Sequence, residues 1–366
     1  MRRTDRDRLA RPYGTPSDSP TPGPANALGV EAPQMQRLED AIFADFSAGP
    51  PFGIAWWAPG PGTTRRVLIG DQLFVCATST RDNLIEASLH WLEFLDYAEQ
   101  ESDVFADAVQ VERGELVVRA PRRTSPIDDI VLEMSDLHLL GVARALSGAL
   151  DCLAGVIIGV VGLKANILRA DFGSLRQRVL AGLPAPADDG QHRQSNFAAQ
   201  LESLIAAAGP QGWLEWVLDF RNMLMHRGRR LTTSQLVPRS TELYGPDGRP
   251  ILRARVIRQL PQDPGRSDVE VLRDPYSAPV LMEDAPRTLE GLIGSTRTLI
   301  DSAASALHEV WQWRKANPAA ISQPVARRSV NCHDRVHRLR ARHRDVLPVL
   351  MDVSSGSPAA VDDGGP

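Results

Sequence analysis

The sequence predicts a mainly α protein: an up-and-down bundle of four to five helices with small β-hairpin additions and disordered ends. Three observations predict it. Apolar residues recur at three- and four-residue spacing over several long stretches. One stretch, 127–163, is apolar on most sides, as a central helix must be. Period-two alternation is confined to short segments beside turn residues.

Taken in order, residues 1–32 are rich in Pro, Ser, Gly and Asp and read as disordered, as do residues 354–366. A short helix is expected over 34–46, followed by a loop at 50–62 whose Trp56 and Trp57 dock on the core. Residues 66–76 alternate around Gly70-Asp71 and predict a hairpin; 108–118 alternate around Arg113-Gly114 and predict a second. Between them, 82–100 reads as a helix. Leu84, Ala87, Trp91 and Leu95 form one apolar stripe and Ile85, Leu89 and Leu92 the next.

Along the central helix, Gly141, Gly148, Gly155 and Gly162 recur every seventh residue. Gly inside a helix costs about 1 kcal/mol relative to Ala. The stripe therefore predicts close approach of another helix, with a second subunit as one source. Helices over 197–208 and 211–227 are separated by Gly209-Pro210. A β insertion is expected at about 232–286, with strands within 242–256 and a third at 269–272. The last core helix spans 288–314, where Leu289, Leu292, Ile293, Leu299, Ile300, Ala303, Leu307 and Val310 keep helical spacing and Pro318 follows. The domain expectation is a disordered segment 1–32, a helical body 33–317, and a basic tail 318–366 that ends disordered.

Composition narrows the function classes. The chain has 366 residues, 43 % of them hydrophobic, enough for a substantial core. A formal net charge of −4 argues against coating nucleic acid through bulk charge. Lysine is almost absent, with only Lys164 and Lys315, so an isolated Arg carries little information. Cys76, Cys152 and Cys332 are too few and too scattered for a disulfide framework. The N-terminal Arg2, Arg3, Arg6 and Arg8 lack the apolar stretch of a secretory signal. The apolar run 152–163 is too short to span a bilayer. A cytoplasmic protein with no membrane association is the expectation.

One segment carries chemistry. On a helix over 211–227, at about 100° per residue, Trp213, Trp216, Val217, Phe220, Met223 and Leu224 form the buried face. Glu215, Asp219, Asn222 and His226 form a polar line opposite. Leu214, Leu218, Arg221 and Met225 lie between, a flank suited to a subunit interface with a guanidinium at its edge. Asn222 and His226 are one turn apart and can share a ligand. Gly228 is a natural C-cap, and a helix C-terminus favours an imidazolium. The same Arg-to-His spacing also occurs at Arg328/His333 and Arg338/His343 in the polar tail. Only Arg221 is followed by Asn and lies on an apolar-faced helix.

The segment Arg221-Asn222-x-x-x-His226 resembles the signature of HEPN domains (higher eukaryotes and prokaryotes nucleotide-binding), helical bundles with Arg, a polar residue and a His four to six residues after the Arg. The β insertion and the N-terminal additions depart from a compact member. The resemblance implies a metal-independent endoribonuclease that acts on RNA as a homodimer, without cofactor, as a toxin or phage-defence effector with a possible antitoxin. His226 would transfer protons, Arg221 would stabilise the phosphorane-like transition state, and Asn222 would orient His226 or the phosphate. Arg227, Arg229 and Arg230 would track the RNA backbone. The alternative is a non-catalytic scaffold of the same type that binds a partner protein or a nucleotide.

Three further features bear on function. Cys332-His333-x3-His337 has partial metal-ligand character without a fourth ligand, so no metal site is expected. The stretch 327–344 is basic enough for a nucleic-acid-binding adaptor. Asp151, in the apolar central helix, requires a partner. Arg144 is two turns away and too far for direct pairing, which leaves an Arg across the bundle, Arg221 among the candidates.

Overall fold

The structure, a computed structural model, describes residues 31–47, 56–57, 63–106, 108–112, 115–118, 126–226, 233–244, 250–266, 270, 273, 280–318 and 320. Among these residues the protein is mainly helical. Six long helices are α1 (Pro33–Ser47), α2 (Thr63–Val104), α3 (Pro126–Val161), α4 (Asp189–Ala208), α5 (Trp213–His226) and α6 (Ala285–Ala316). Strands β1 (Val109–Glu112) and β2 (Glu115–Val118) form an antiparallel pair. Strands β3 (Thr233–Tyr244), β4 (Pro250–Pro261) and β5 (Val280–Asp284) form an antiparallel sheet in that order.

The C-terminal half of the central helix is apolar on most sides because it is enclosed. α3 packs against α2, α4, α5 and α6, and Leu153–Val161 is buried without a break. By length and composition α3 passes for a membrane span, but most of its apolar window is buried inside the protein. Its C-terminal carbonyls are individually satisfied. Gly162, at φ +72°, ends the helix, and the Gly162 and Leu163 N–H groups both donate to the Ile158 carbonyl. The Arg314 guanidinium, 2 % exposed, donates to the Gly159 and Val160 carbonyls at 2.8 and 2.7 Å and to the Trp57 carbonyl at 3.0 Å. The Trp57 indole also donates to Gly159, and the Gln194 amide donates to Val161 and Gly162. Burial pushes the pKa of Arg314 down to about 10, so it stays charged at neutral pH against the negative end of the helix. Trp56 and Trp57 dock on the core as expected, both against Trp311.

The glycine stripe faces a helix of the same chain. A Cβ on Gly141 would strike the His90 ring. One on Gly148 would lie 3.1 Å from Asn83 Oδ1, one on Gly155 2.6 Å from Cys76 Sγ, and one on Gly159 2.8 Å from Leu73 Cδ1. Contacts fall as positions rise on α3, so α2 and α3 run antiparallel, and both step mainly by sevens. Gly162 leaves the stripe to end the helix, and Gly159 continues it.

Two expectations are corrected. Residues 66–76 are not a hairpin but part of α2, a 42-residue helix. Leu73, Cys76, Ala77, Thr80, Leu84 and Ala87 are buried at helical spacing, and Gly70 is buried within the helix rather than turning the chain. A short alternating apolar run fits either period, and the long partner α3 decided between them. The third strand of the sheet is Val280–Asp284; of the strand expected at 269–272 only Glu270 is described, as helical, and the rest lies outside the described residues. The expected helices at 34–46, 127–163, 197–208, 211–227 and 288–314 are present, with α4 starting earlier, at Asp189. Residues 1–30 and the basic tail from 321, including Cys332, His333 and His337, lie outside the described residues.

The insertion is fastened to the helices by a buried ion cluster. Arg258 of β4, with its side chain 8 % exposed, donates to both Glu101 oxygens at 2.9 and 3.0 Å and also pairs with Asp136. Ser135 Oγ adds a bond to Glu101 at 3.3 Å. The Ala254 and Val256 N–H groups reach the Ala106 carbonyl and Ser102 Oγ.

Candidate functional site

Helix α5 is placed by its own tryptophans. Gly212 has φ +80°, which a side chain would resist, and the helix starts directly after it. The Trp213 indole donates to the Ile205 carbonyl of α4 at 3.1 Å, and the Trp216 indole donates to the Pro261 carbonyl of β4 at 3.0 Å. Trp216 stacks on Phe220 at 4.6 Å. Trp213, Leu214, Val217, Phe220 and Met223 are buried; Trp216 and Leu224 are half-buried. The expected buried face is thus largely present. Leu214 is a correction: it is 0 % exposed and belongs to the core rather than to a flank open to a second subunit.

Arg221 is half-exposed, and its Nη2 lies 3.2 Å from Asp151 Oδ2 on α3. This supplies the cross-bundle partner expected for the half-buried carboxylate. The other Asp151 oxygen accepts the Phe172 N–H at 3.0 Å, at the start of a helical turn (Phe172–Ser174) that continues as a π-helical turn (Leu175–Leu180). Neighbouring Asp171 caps the same turn by accepting the Ser174 N–H at 2.7 Å. Burial raises the pKa of Asp151, the Phe172 N–H and Arg221 oppose the shift, and Asp171 adds to it. The rise survives the ion pair, so the carboxylate is held at an energetic cost.

Asn222 is exposed, on the side away from the buried face. His226 is the last residue of α5, and its side chain lies outside the described part, as do Arg227, Arg229 and Arg230. The remaining members of the polar line are engaged elsewhere. Glu215 pairs with Arg176, which also holds Glu202 at 2.7 Å. Although burial acts to raise the pKa of Glu215, its bond to Arg176 brings it below the ordinary value. Asp219 packs over the turn after β4, where a Cβ on Gly265 would lie 3.0 Å from its Oδ2. The site around Arg221 is therefore formed by α3, α5 and the 171–180 turn, with Leu218 against Gly173.

Asp171 and Arg176 were not singled out from the sequence. Asp171 stands before Phe172 with ordinary N-cap spacing to Ser174, a signal too common to single it out. Among the described residues, no group of three or more His, Cys, Asp or Glu side chains is arranged to hold a metal ion. Cys76 and Cys152 are free. Burial pushes the Cys152 thiol up to about 11 and raises that of Cys76, so neither is a nucleophile at neutral pH.

Comparison with protein-family models, with curated proteins and with solved structures found no match.

Proposed function

We propose that this chain is an HEPN-type endoribonuclease, metal-independent and acting on RNA as a homodimer, in the role of a toxin or phage-defence effector. The observation that carries the reading is the position of the motif. Arg221 and Asn222 reach the surface on the final turns of a helix whose opposite face is buried, and His226 is its last residue. In the reaction, the ribose 2′-oxygen bonds to phosphorus and the 5′-oxygen departs. This leaves a 2′,3′-cyclic phosphate and a 5′-hydroxyl. His226 takes the 2′-OH proton or returns one to the leaving oxygen, Arg221 holds the charge that builds on the phosphoryl oxygens, and Asn222 orients the imidazole or the phosphate. Arg227, Arg229 and Arg230 contribute backbone contacts. Asp151 acts through Arg221, fixing the direction of the guanidinium before RNA arrives.

The second reading is a non-catalytic scaffold of the same type, binding a partner protein such as an antitoxin or a nucleotide. What favours it is that Arg221 is already paired with Asp151, while Glu215 and Asp219 are turned to neighbours.

Incubation of the full chain with mixed RNA in EDTA separates the two. The nuclease reading expects cleavage, a loss of about 10²- to 10⁴-fold in His226→Ala, and about 10²- to 10³-fold in Arg221→Ala. Equal behaviour of wild type and His226→Ala sinks it and supports the scaffold. Growth arrest on expression, relieved by Arg221→Ala, is the cellular counterpart. RNA retention lost on deleting 327–345, without cleavage by either form, would instead make the chain an adaptor.

A further inference from the structure

The α2–α3 contact contains an ionisable pair far along the helices from Arg221. His90 Nδ1 and His138 Nδ1 lie 3.0 Å apart, with ring centroids at 5.2 Å. Each ring is packed on one side and partly exposed on the other. Tyr97 stacks on His138 at 5.4 Å and 14°, and His90 fills the space over Gly141, where a Cβ would lie 2.5 Å from its ring. A neutral imidazole has one N–H and one bare nitrogen. At this separation two Nδ1 atoms can hold only one proton between them.

The surrounding charges decide where further protons go. Glu86 Oε1 lies 3.8 Å from His90 Nε2, on the far side of that ring from the contact. With one added proton on the pair, the ring that carries it donates from Nδ1 to the other, and the contact is a charge-assisted bond. A second proton has only the accepting Nδ1 to occupy. It would set N–H against N–H and one cation against another. Glu93 on α2 favours that charge, but burial of His138 and the proximity of His90 outweigh it and lower its pKa from 6.5. On α3, Asp136 lies two residues away but is taken by Arg258 of β4, which Glu101 also holds. α6 meets this part of α2 through the Pro286 carbonyl, which accepts the Trp91 indole N–H.

We propose that His90 and His138 form a proton-operated latch between α2 and α3, closed while the pair carries one positive charge or none and open when both rings are charged. The sign follows from linkage: the opened form binds the second proton more readily, so the contact is intact above about pH 6.5 and is lost as pH falls below it. Leu89 and Leu92 on α2 and Leu137 on α3, already exposed, become part of a larger apolar surface when it opens.

The test uses the full chain in EDTA. Imidazole ring resonances are followed by NMR from about pH 8 to about pH 4.5, alongside amide exchange corrected for the intrinsic rate. The expected result is coupled titration of the two rings in steps more than about one pH unit apart. Over the same range, amides in 86–97 and 134–145 should lose about tenfold protection. His138→Phe, which keeps the stack on Tyr97, should abolish that loss. Independent single-step titration of both rings near the ordinary value overturns the latch, as does acid loss of protection that persists in His138→Phe. The wild-type titration decides the matter if the variant does not fold.

Discussion

At the residue scale, the proposed nuclease reading makes the Asp151–Arg221 pair a positioning device rather than a source of stability. A carboxylate whose pKa stays raised beside a guanidinium is costly to ionise in the folded chain. The folded state binds its proton more tightly than the unfolded chain does. Its contribution to stability is therefore fully present below pH 3.8, the ordinary Asp value, and is lost as pH rises through the raised folded value. Asp151→Asn keeps an acceptor for the Phe172 N–H and removes the half-buried charge. Urea unfolding at pH 7 is expected to change by no more than about 1 kcal/mol. The proposed nuclease expects RNA cleavage to fall about tenfold or more with RNA retention intact, because Arg221 loses its direction. A large loss of stability with unchanged cleavage per folded molecule would assign the pair to folding alone.

At the element scale, the glycines of α3 and α6 have opposite roles although both sit in helices. Each costs about 1 kcal/mol in helix propensity. Gly155 recovers that cost by letting Cys76 approach to where its own Cβ would be, whereas a Cβ on Gly291 meets nothing within 4 Å. Gly155→Ala is expected to destabilise, because crowding of about 1–3 kcal/mol outweighs the propensity gain. Gly291→Ala should stabilise by about 0.5–1 kcal/mol. Denaturant midpoints of the two variants check the pair. A stabilised Gly155→Ala would mean that α2 and α3 are less closely apposed than the contacts require.

At the scale of the whole molecule, the β insertion is attached by charge. Glu101 is 3 % exposed and has Arg258 as a bidentate partner. Arg258→Met would strand that carboxylate and cost about 3–5 kcal/mol, read as a lowered thermal midpoint. Adding Glu101→Gln should recover most of the loss. If the double variant is no more stable than the single one, the insertion is held mainly by its backbone and apolar contacts. The oligomeric state belongs to the same scale. The proposed nuclease expects a dimer in sedimentation of the wild-type chain, since one copy presents a single motif.

Local periodicity by itself determined the helices at 34–46, 127–163 and 288–314, most of the buried face of α5 and the pairing of 109–112 with 115–118. In each, apolar spacing or turn chemistry admits one solution. It also placed Arg221 at the edge of the buried face and required a partner for Asp151, because a helix fixes which side each residue takes and a buried charge is too costly alone. Only the tertiary structure decided that 66–76 continues a helix, since a short apolar run fits two periods until a partner of matching length lies beside it. Only it decided that the glycine stripe meets α2, that Leu214 is core, and that His90 meets His138. Those are contacts between residues distant in sequence, and local spacing carries no information about which distant surface will cover a face.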